Sequence, residues 1–375
     1  MGVYFILMTV ALLISIIVLF HNDVKFTNVY IYTYILLLSL LAGLRFHTGW
    51  DWEAYDYFFY ELTSSNLFEI SKANVFNYEP GFVLLSYISV LLHIPPFLFF
   101  SLITVTLIIK SAYKYLGNFV YIFLLIYLYY GYFHNFSIVR QGVAAALFAY
   151  SIRYLIAKSY KYYILIFVAY IALFHMSAIM LLIVPFLYKI ANRIPFSALL
   201  LFSLLMVYTS VSELIGMKSL LSGINALNIY INNSSLSYKV GFSFKYLELL
   251  IILVLFYNKR FSELIASKFS KKQYYVFRCL IVIEVMIYSL FNDFSIIYER
   301  LTVYFEFSHA ICIAMIISAF KYKRVQLFLL LILLSLIFVR YYQLFNSPVR
   351  VDGEMTHYER FENYCSVFNT KDCQR

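Results

Sequence analysis

Apolar residues come in long uninterrupted blocks separated by short polar breaks, and this alternation sets the architecture to expect. Blocks of about 17–20 residues without a charge are long enough to cross the ~30 Å hydrocarbon layer as a helix. Inside lipid every backbone N–H and C=O must pair within the chain, which only helices and closed barrels achieve. Barrel strands alternate polar and apolar positions, and the run from Leu327 to Val339 does not. The pattern therefore predicts helices near 3–20, 28–44, 97–113, 118–134, 139–157, 162–174, 177–189, 195–216, 245–258, 274–292, 300–320 and 325–341. The first block has no basic start and no small-x-small site after it, so it reads as a membrane helix rather than a signal peptide.

Two places break the regular count. Segment 81–93 runs into Pro95-Pro96 and is short for a crossing. Treated as a re-entrant helix that dips in and returns, it keeps Lys110 and Lys114 on the same side as the other basic clusters. Segments 162–174 and 177–189 are also short, meeting at Phe174-His175-Met176-Ser177-Ala178. Short or broken helices at membrane depth occur where they line a cavity, so both mark a candidate site. The expected class is an all-α polytopic membrane protein of about 11–13 helices, with short or re-entrant helices around a cavity at one face.

Composition supports this reading. Of 375 residues, 63% are hydrophobic and 13% charged, against roughly 45–50% and 25% in soluble domains. The net charge of +10 does not point to nucleic acid, because its distribution is wrong for that. Basic residues sit in small clusters between apolar blocks: Lys110 and Lys114, Lys158 and Lys161, Lys189 and Arg193, Lys259 to Lys272, and Lys321 to Arg324. Such clusters mark cytoplasmic loops. The complementary loops then face outward: 45–80, His134 to Ser137, the turn at His175, 217–244, 293–299 and a polar tail over 342–375 following a helical domain over 1–341.

Loop 45–80 is unlike the rest. Asp51, Glu53, Asp56, Glu61, Glu69 and Glu79 outnumber Arg45 and Lys72, and Tyr55, Phe58, Phe59, Leu62 and Leu67 recur as one face between Trp52 and Ile70. That predicts an amphipathic helix lying on the membrane surface. Loop 217–244, rich in Ser and Asn, reads as a flexible lid or second surface segment. Cys279 and Cys312 fall inside helices as packing residues, whereas Cys365 and Cys373 lie in the tail, where an oxidising compartment would allow a disulfide. No Cys/His ligand spacing appears, so no metal is expected.

Ionisable groups against membrane helices are costly and mark sites by default. Arg45 ends the second helix, Arg140 and Gln141 open the fifth, and Arg300, beside Glu299, opens the eleventh, all at the outer level. Each could simply snorkel or pair with a carboxylate, Arg300 with Glu299 or Glu306 for example. As a set they suit phosphate oxygens, which planar guanidinium forks bind well. His175, in an otherwise apolar break, is either a satisfied core residue or a general base, with Asp51 and Glu79 as rival bases. Trp50 and Trp52 beside Asp51 would make a sugar-stacking platform. The many other aromatic residues are expected to face lipid and its interface.

The string Arg45-x-x-x-Gly49-x-Asp51-x-x-x-Tyr55-x-x-x-Phe59, Glu79-Pro80-Gly81-Phe82, Val139-Arg140-Gln141-Gly142-Val143-Ala144, Phe174-His175-x-Ser177-Ala178 and Glu299-Arg300-Leu301 with Tyr304 resembles the EpsG/Wzy family of polysaccharide polymerases. The resemblance runs in order over about residues 45–305. Gly142 stands where the family more often has Ala or Ile. The resemblance implies a GT-C-like helical glycosyltransferase of the bacterial inner membrane, with its active site facing the periplasm. Such an enzyme transfers a growing glycan from one undecaprenyl diphosphate carrier to a new lipid-linked repeat, building O-antigen or capsule. It implies no cofactor, the lipid-linked oligosaccharide as both donor and acceptor, membrane lipid around it, and a chain-length regulator protein among its partners. In this reading Arg45, Arg140 and Arg300 hold the diphosphate, His175 activates the acceptor hydroxyl, and Asp51 and Glu79 orient the acceptor or replace His175. A ligase would differ only in its acceptor. A lipid-linked oligosaccharide flippase would show two related halves, which the sequence lacks, and a membrane acyltransferase would need other neighbours around its histidine.

Overall fold

The structure, a computed structural model, describes residues 2–21, 24–64, 74–209, 216, 238–345 and 364–368. Among these the chain is helical, with one isolated antiparallel bridge between Arg45 and Ser366. It divides into two compact units. The first comprises Met1–Ser151, Ile164–Met176 and Phe320–Arg375; the second comprises Ile152–Tyr163 and Ser177–Ala319.

The first unit contains α1 (Gly2–His21), α2 (Val24–Gly43), α3 (Trp52–Thr63), α4 (Pro80–Leu91), α5 (Pro96–Leu116), α6 (Val120–Tyr130), most of α7 (Val139–Ile156), and the later part of α8 (Tyr160–Phe174). Val3–Phe20 and the apolar stretch Pro96–Tyr130 are each long and apolar enough to cross a membrane. Helix α3 is the amphipathic segment expected of the loop after α2. Its Trp52, Tyr55, Phe58, Phe59 and Leu62 are buried, and its rings interleave with Tyr78, Phe82, Phe97 and Phe100. These aromatics therefore form a core instead of facing lipid. The reason is that α3 has α4 and α5 to lie against, and rings bury more area per residue than any aliphatic side chain. Leu67 and Ile70, expected to continue this helix, lie outside the described residues.

Two glycines of the sequence motifs have steric causes. Gly49 adopts φ +102°, and a Cβ there would stand 1.9 Å from the Phe136 carbonyl oxygen. Only a residue without a side chain fits both the backbone and the space. A Cβ on Gly81 would stand 2.6 Å from the Leu173 carbonyl oxygen, so the start of α4 lies directly on the end of α8. By contrast, the nearest atoms to a Cβ on Gly142 are 4.0 Å away. The departure from the family pattern there is one the packing tolerates.

The polar tail is represented by residues 364–368, which join the first unit. Phe46 N–H donates to the Cys365 carbonyl, Val367 N–H to the Leu44 carbonyl, and the Tyr364 hydroxyl to the Leu41 carbonyl. Cys365 is disulfide-bonded; its expected partner Cys373 lies outside the described residues. Cys279 and Cys312 are free and buried. Ahead of this segment α16 (Lys323–Phe345) completes the first unit.

The second unit contains the 3-10 turn Met176–Ile183, α9 (Val184–Ala191), α10 (Phe196–Thr209), α11 (Phe244–Tyr257), α12 (Lys259–Phe269), α13 (Lys271–Leu290), α14 (Ser295–Thr302) and α15 (Glu306–Ala319). Here α13 is long and apolar enough to cross a membrane. The helix expected over 300–320 is two helices, α14 and α15, bent by 63°. Arg300 accordingly lies in the last turn of α14 and does not open a long helix. Most of loop 217–244 lies outside the described residues. The long apolar helices of both units make this a polytopic membrane protein.

Candidate functional site

In the first unit, three elements converge on Arg140. It is the second residue of α7, where helix N–H groups are still unpaired and the helix dipole is positive. Its Nη1 donates to Glu79 Oε2 at 2.5 Å, its Nε to the Tyr55 hydroxyl at 3.4 Å, and its guanidinium lies 4.5 Å above the Tyr78 ring. Glu79 is the residue before α4, with Pro80 as that helix's first residue, a position proline favours. Tyr78 is fixed by Asn74, whose side chain accepts from Tyr78 N–H and donates to its carbonyl. Burial raises the Tyr55 phenol above its usual pKa, although Arg140 pulls it down. The ring therefore stays neutral and accepts. Arg140 and Glu79 side chains remain 24% and 16% exposed, so the cation is held in place yet still reachable.

The other expected residues of this unit fall around that pair in different ways. Asp51 sits at the head of α3 with its carbonyl accepting from Tyr55 N–H, and its charge is felt by both Tyr55 and Tyr78. His175 is half-buried just beyond α8, two residues after the Leu173 that rests on Gly81. Gln141 is buried. Trp52 is buried too, with its ring against His47 and Phe46, so its faces are already covered; Trp50 is half-buried, and its N–H donates to Ser137 Oγ.

Arg45 is buried. It lies two residues past the end of α2, 1% exposed, with its guanidinium 4.1 Å from the Phe97 ring centre and its Nη1 donating to the Ala42 carbonyl. A cation there caps the negative end of α2 and stacks on an aromatic face. Burial pushes its pKa down to about 9, so it still carries its charge at neutral pH.

In the second unit, Arg300 is half-buried and Glu299 exposed on α14. Two motif pieces do meet there: the Ser177 and Tyr304 hydroxyls lie 2.7 Å apart. Glu306, weighed as a partner for Arg300, meets Lys245 at 3.5 Å. Beneath that pair, His309 lies between Glu248 and Glu284. The sequence reading passed over Lys245, Glu248, Glu284 and His309. The signal that would have found them is the spacing Lys245-x-x-Glu248 and Glu306-x-x-His309, charges three apart on one face of two apolar helices. No group of three or more potential metal ligands is found among the described residues.

The fold and site define a class: a polytopic helical membrane protein with a charge-positioned arginine at the head of one helix. The family model described as EpsG family matches residues 28–359, and the chain belongs to the EpsG family. Membership gives it the general role of a glycosyltransferase-like enzyme of polysaccharide polymerisation. No curated protein and no solved structure matches it.

Proposed function

We propose that this protein polymerises lipid-linked oligosaccharide repeat units, moving a growing glycan from an undecaprenyl diphosphate carrier to the sugar end of a new lipid-linked repeat. The observation that carries this is Arg140, a partly exposed guanidinium at a helix N-terminus with its orientation fixed by Glu79, Tyr55 and Tyr78. As the anomeric C–O bond breaks, negative charge grows on the departing diphosphate. A donor already aimed at that charge lowers the barrier without reorganising. Glu79, committed to Arg140, acts as its positioning residue, which makes it a poor base. His175 is assigned the acceptor proton, with Asp51 orienting the acceptor. Arg45 fits the structural cap described above better than a ligand contact.

The basic clusters between apolar helices favour an orientation with residues 45–80 on the periplasmic side of a bacterial inner membrane. A GT-C-like architecture and an O-antigen or capsule product belong to the same reading. The test is elongation of a purified lipid-linked repeat by the protein in detergent. Arg140→Ala, eluting as wild type, should give no ladder of lengthened glycan. Full elongation by that variant would remove the diphosphate role. Transfer of unmodified lipid across a vesicle, with no lengthening, would favour a flippase.

A further inference from the structure

Three helices of the second unit carry ionisable side chains inside apolar stretches, and they meet in two tiers. In the first tier Lys245 Nζ of α11 lies 3.5 Å from Glu306 Oε1 of α15 and 5.6 Å from the centre of the Tyr298 ring. One turn further along both helices, His309 Nε2 lies 3.6 Å from Glu248 Oε2. Its Nδ1 lies 3.4 Å from Glu284 Oε1 of α13. Exposure falls along this line, from 18% at the Glu248 side chain to none at His309 and Glu284. Both carboxylate oxygens of Glu284 and the Tyr298 hydroxyl are buried without a hydrogen-bond partner among the described residues.

We infer that Glu248, His309 and Glu284 form a proton-binding site, entered at Glu248 and ending at the buried carboxylate of Glu284. A wholly buried carboxylate costs several kcal/mol unless its charge is matched. The ion-pair partner of Glu284 among the described residues is the His309 ring, and the Lys245 charge also acts on it, so its carboxylate is best matched while that ring holds both protons. The imidazolium then faces a carboxylate from each nitrogen, and the three groups together carry one net negative charge. A single added proton neutralises them. It comes from water and forms an O–H bond on Glu248, the one member with exposed surface. The Nδ1–H bond of His309 breaks as its proton passes to Glu284, and the ring is left neutral with its proton on Nε2. The contacts at 3.4 and 3.6 Å have to close and align as hydrogen bonds for the protons to pass.

Of the groups around this site, Lys245 acts electrostatically on Glu284 as well as on Glu306. Lys245 and Glu306 pair with one another in the tier before it, and Cys312 lies one turn further along α15, its Sγ toward the Phe277 carbonyl. Tyr288 donates to Gly241 and Ser243, and Tyr298 stands beneath Lys245. Neither tyrosine nor the cysteine carries a charge that would replace the imidazolium. The proposal needs nothing from the polymerase reading, and the two can fail separately.

Infrared difference spectroscopy of the full-length protein in lipid nanodiscs, stepped from alkaline to acidic pH, tests it. Wild type should develop the carbonyl band of a buried protonated carboxyl. Glu284→Gln should lose that band, and Glu248→Gln should show it only at lower pH. No such band in wild type, or one that survives Glu284→Gln unchanged, would overturn the site. If Glu284→Gln does not fold, the partly exposed Glu248→Gln decides alone: a band at the wild-type pH refutes the route. Elongation of lipid-linked repeats, measured on the same samples, reports separately on the polymerase.

Discussion

The Arg140 site of the first unit and the His309 site of the second use the same chemical groups to opposite ends. Arg140 is held by one carboxylate and two phenols at the first turn of a helix, and it keeps about a quarter of its side chain in contact with its surroundings. His309 has no exposed surface and lies between two carboxylates where α11, α13 and α15 pack together. The lesson is that an ion pair left partly exposed leaves a cation available to an outside anion. A charge buried between helices is instead committed to its partners, and can only trade protons with them.

The strongest way to break this contrast is Arg140→Ala. Loss of one preorganised donor typically costs about 100- to 1000-fold in rate, so lipid-linked repeat elongation should fall below detection while thermal stability changes little. His309→Gln should do the reverse. It strands a buried carboxylate, costing about 3–5 kcal/mol, read as a fall in melting temperature in detergent. Adding Glu284→Gln to it should restore part of that loss, and strict additivity of the two substitutions would contradict the pairing. Gly81→Ala sharpens the scaffold side of the comparison. Its Cβ would collide with Leu173 backbone and push α4 off α8, costing about 1–3 kcal/mol and displacing Glu79 from Arg140. Glu79→Gln keeps the shape but removes a charge from the pair, so elongation should drop by about 10-fold, roughly 1.4 kcal/mol of barrier, with a rise in apparent affinity for diphosphate. Smallest of all is Gly142→Ala. With 4.0 Å of clearance in a helix interior, it should stabilise by about 0.5–1 kcal/mol and leave elongation intact.

Much of the helical layout was legible because lipid enforces it. A backbone that must satisfy itself leaves long apolar blocks only one form, and observed helices such as Gly2–His21, Pro96–Leu116 and Lys271–Leu290 lie on the expected blocks. The amphipathic helix after Arg45 was legible from its periodicity as far as Thr63. What periodicity could not convey was the burial of Arg45. A sequence gives its place past the end of α2, but not the Phe97 and Phe136 rings from two other elements that close over it. The bend between α14 and α15 was hidden too, because Val303, Tyr304 and Phe305 include no glycine or proline to mark a break. The His309 cluster was missed for a different reason. Its Glu284 looks like an isolated polar residue in an apolar helix, and only the crossing of helices sets it against His309.

The pairing of residues 364–367 with 44–46 has a consequence for how the molecule is made. The first unit draws on segments from both sides of the second, and its bridge at Arg45 needs residues synthesised some three hundred positions later. During translation, which adds about 5–20 residues per second, the second unit can therefore assemble while the first still lacks that bridge. The Arg45 turn stays open until residues 364–367 have left the ribosome.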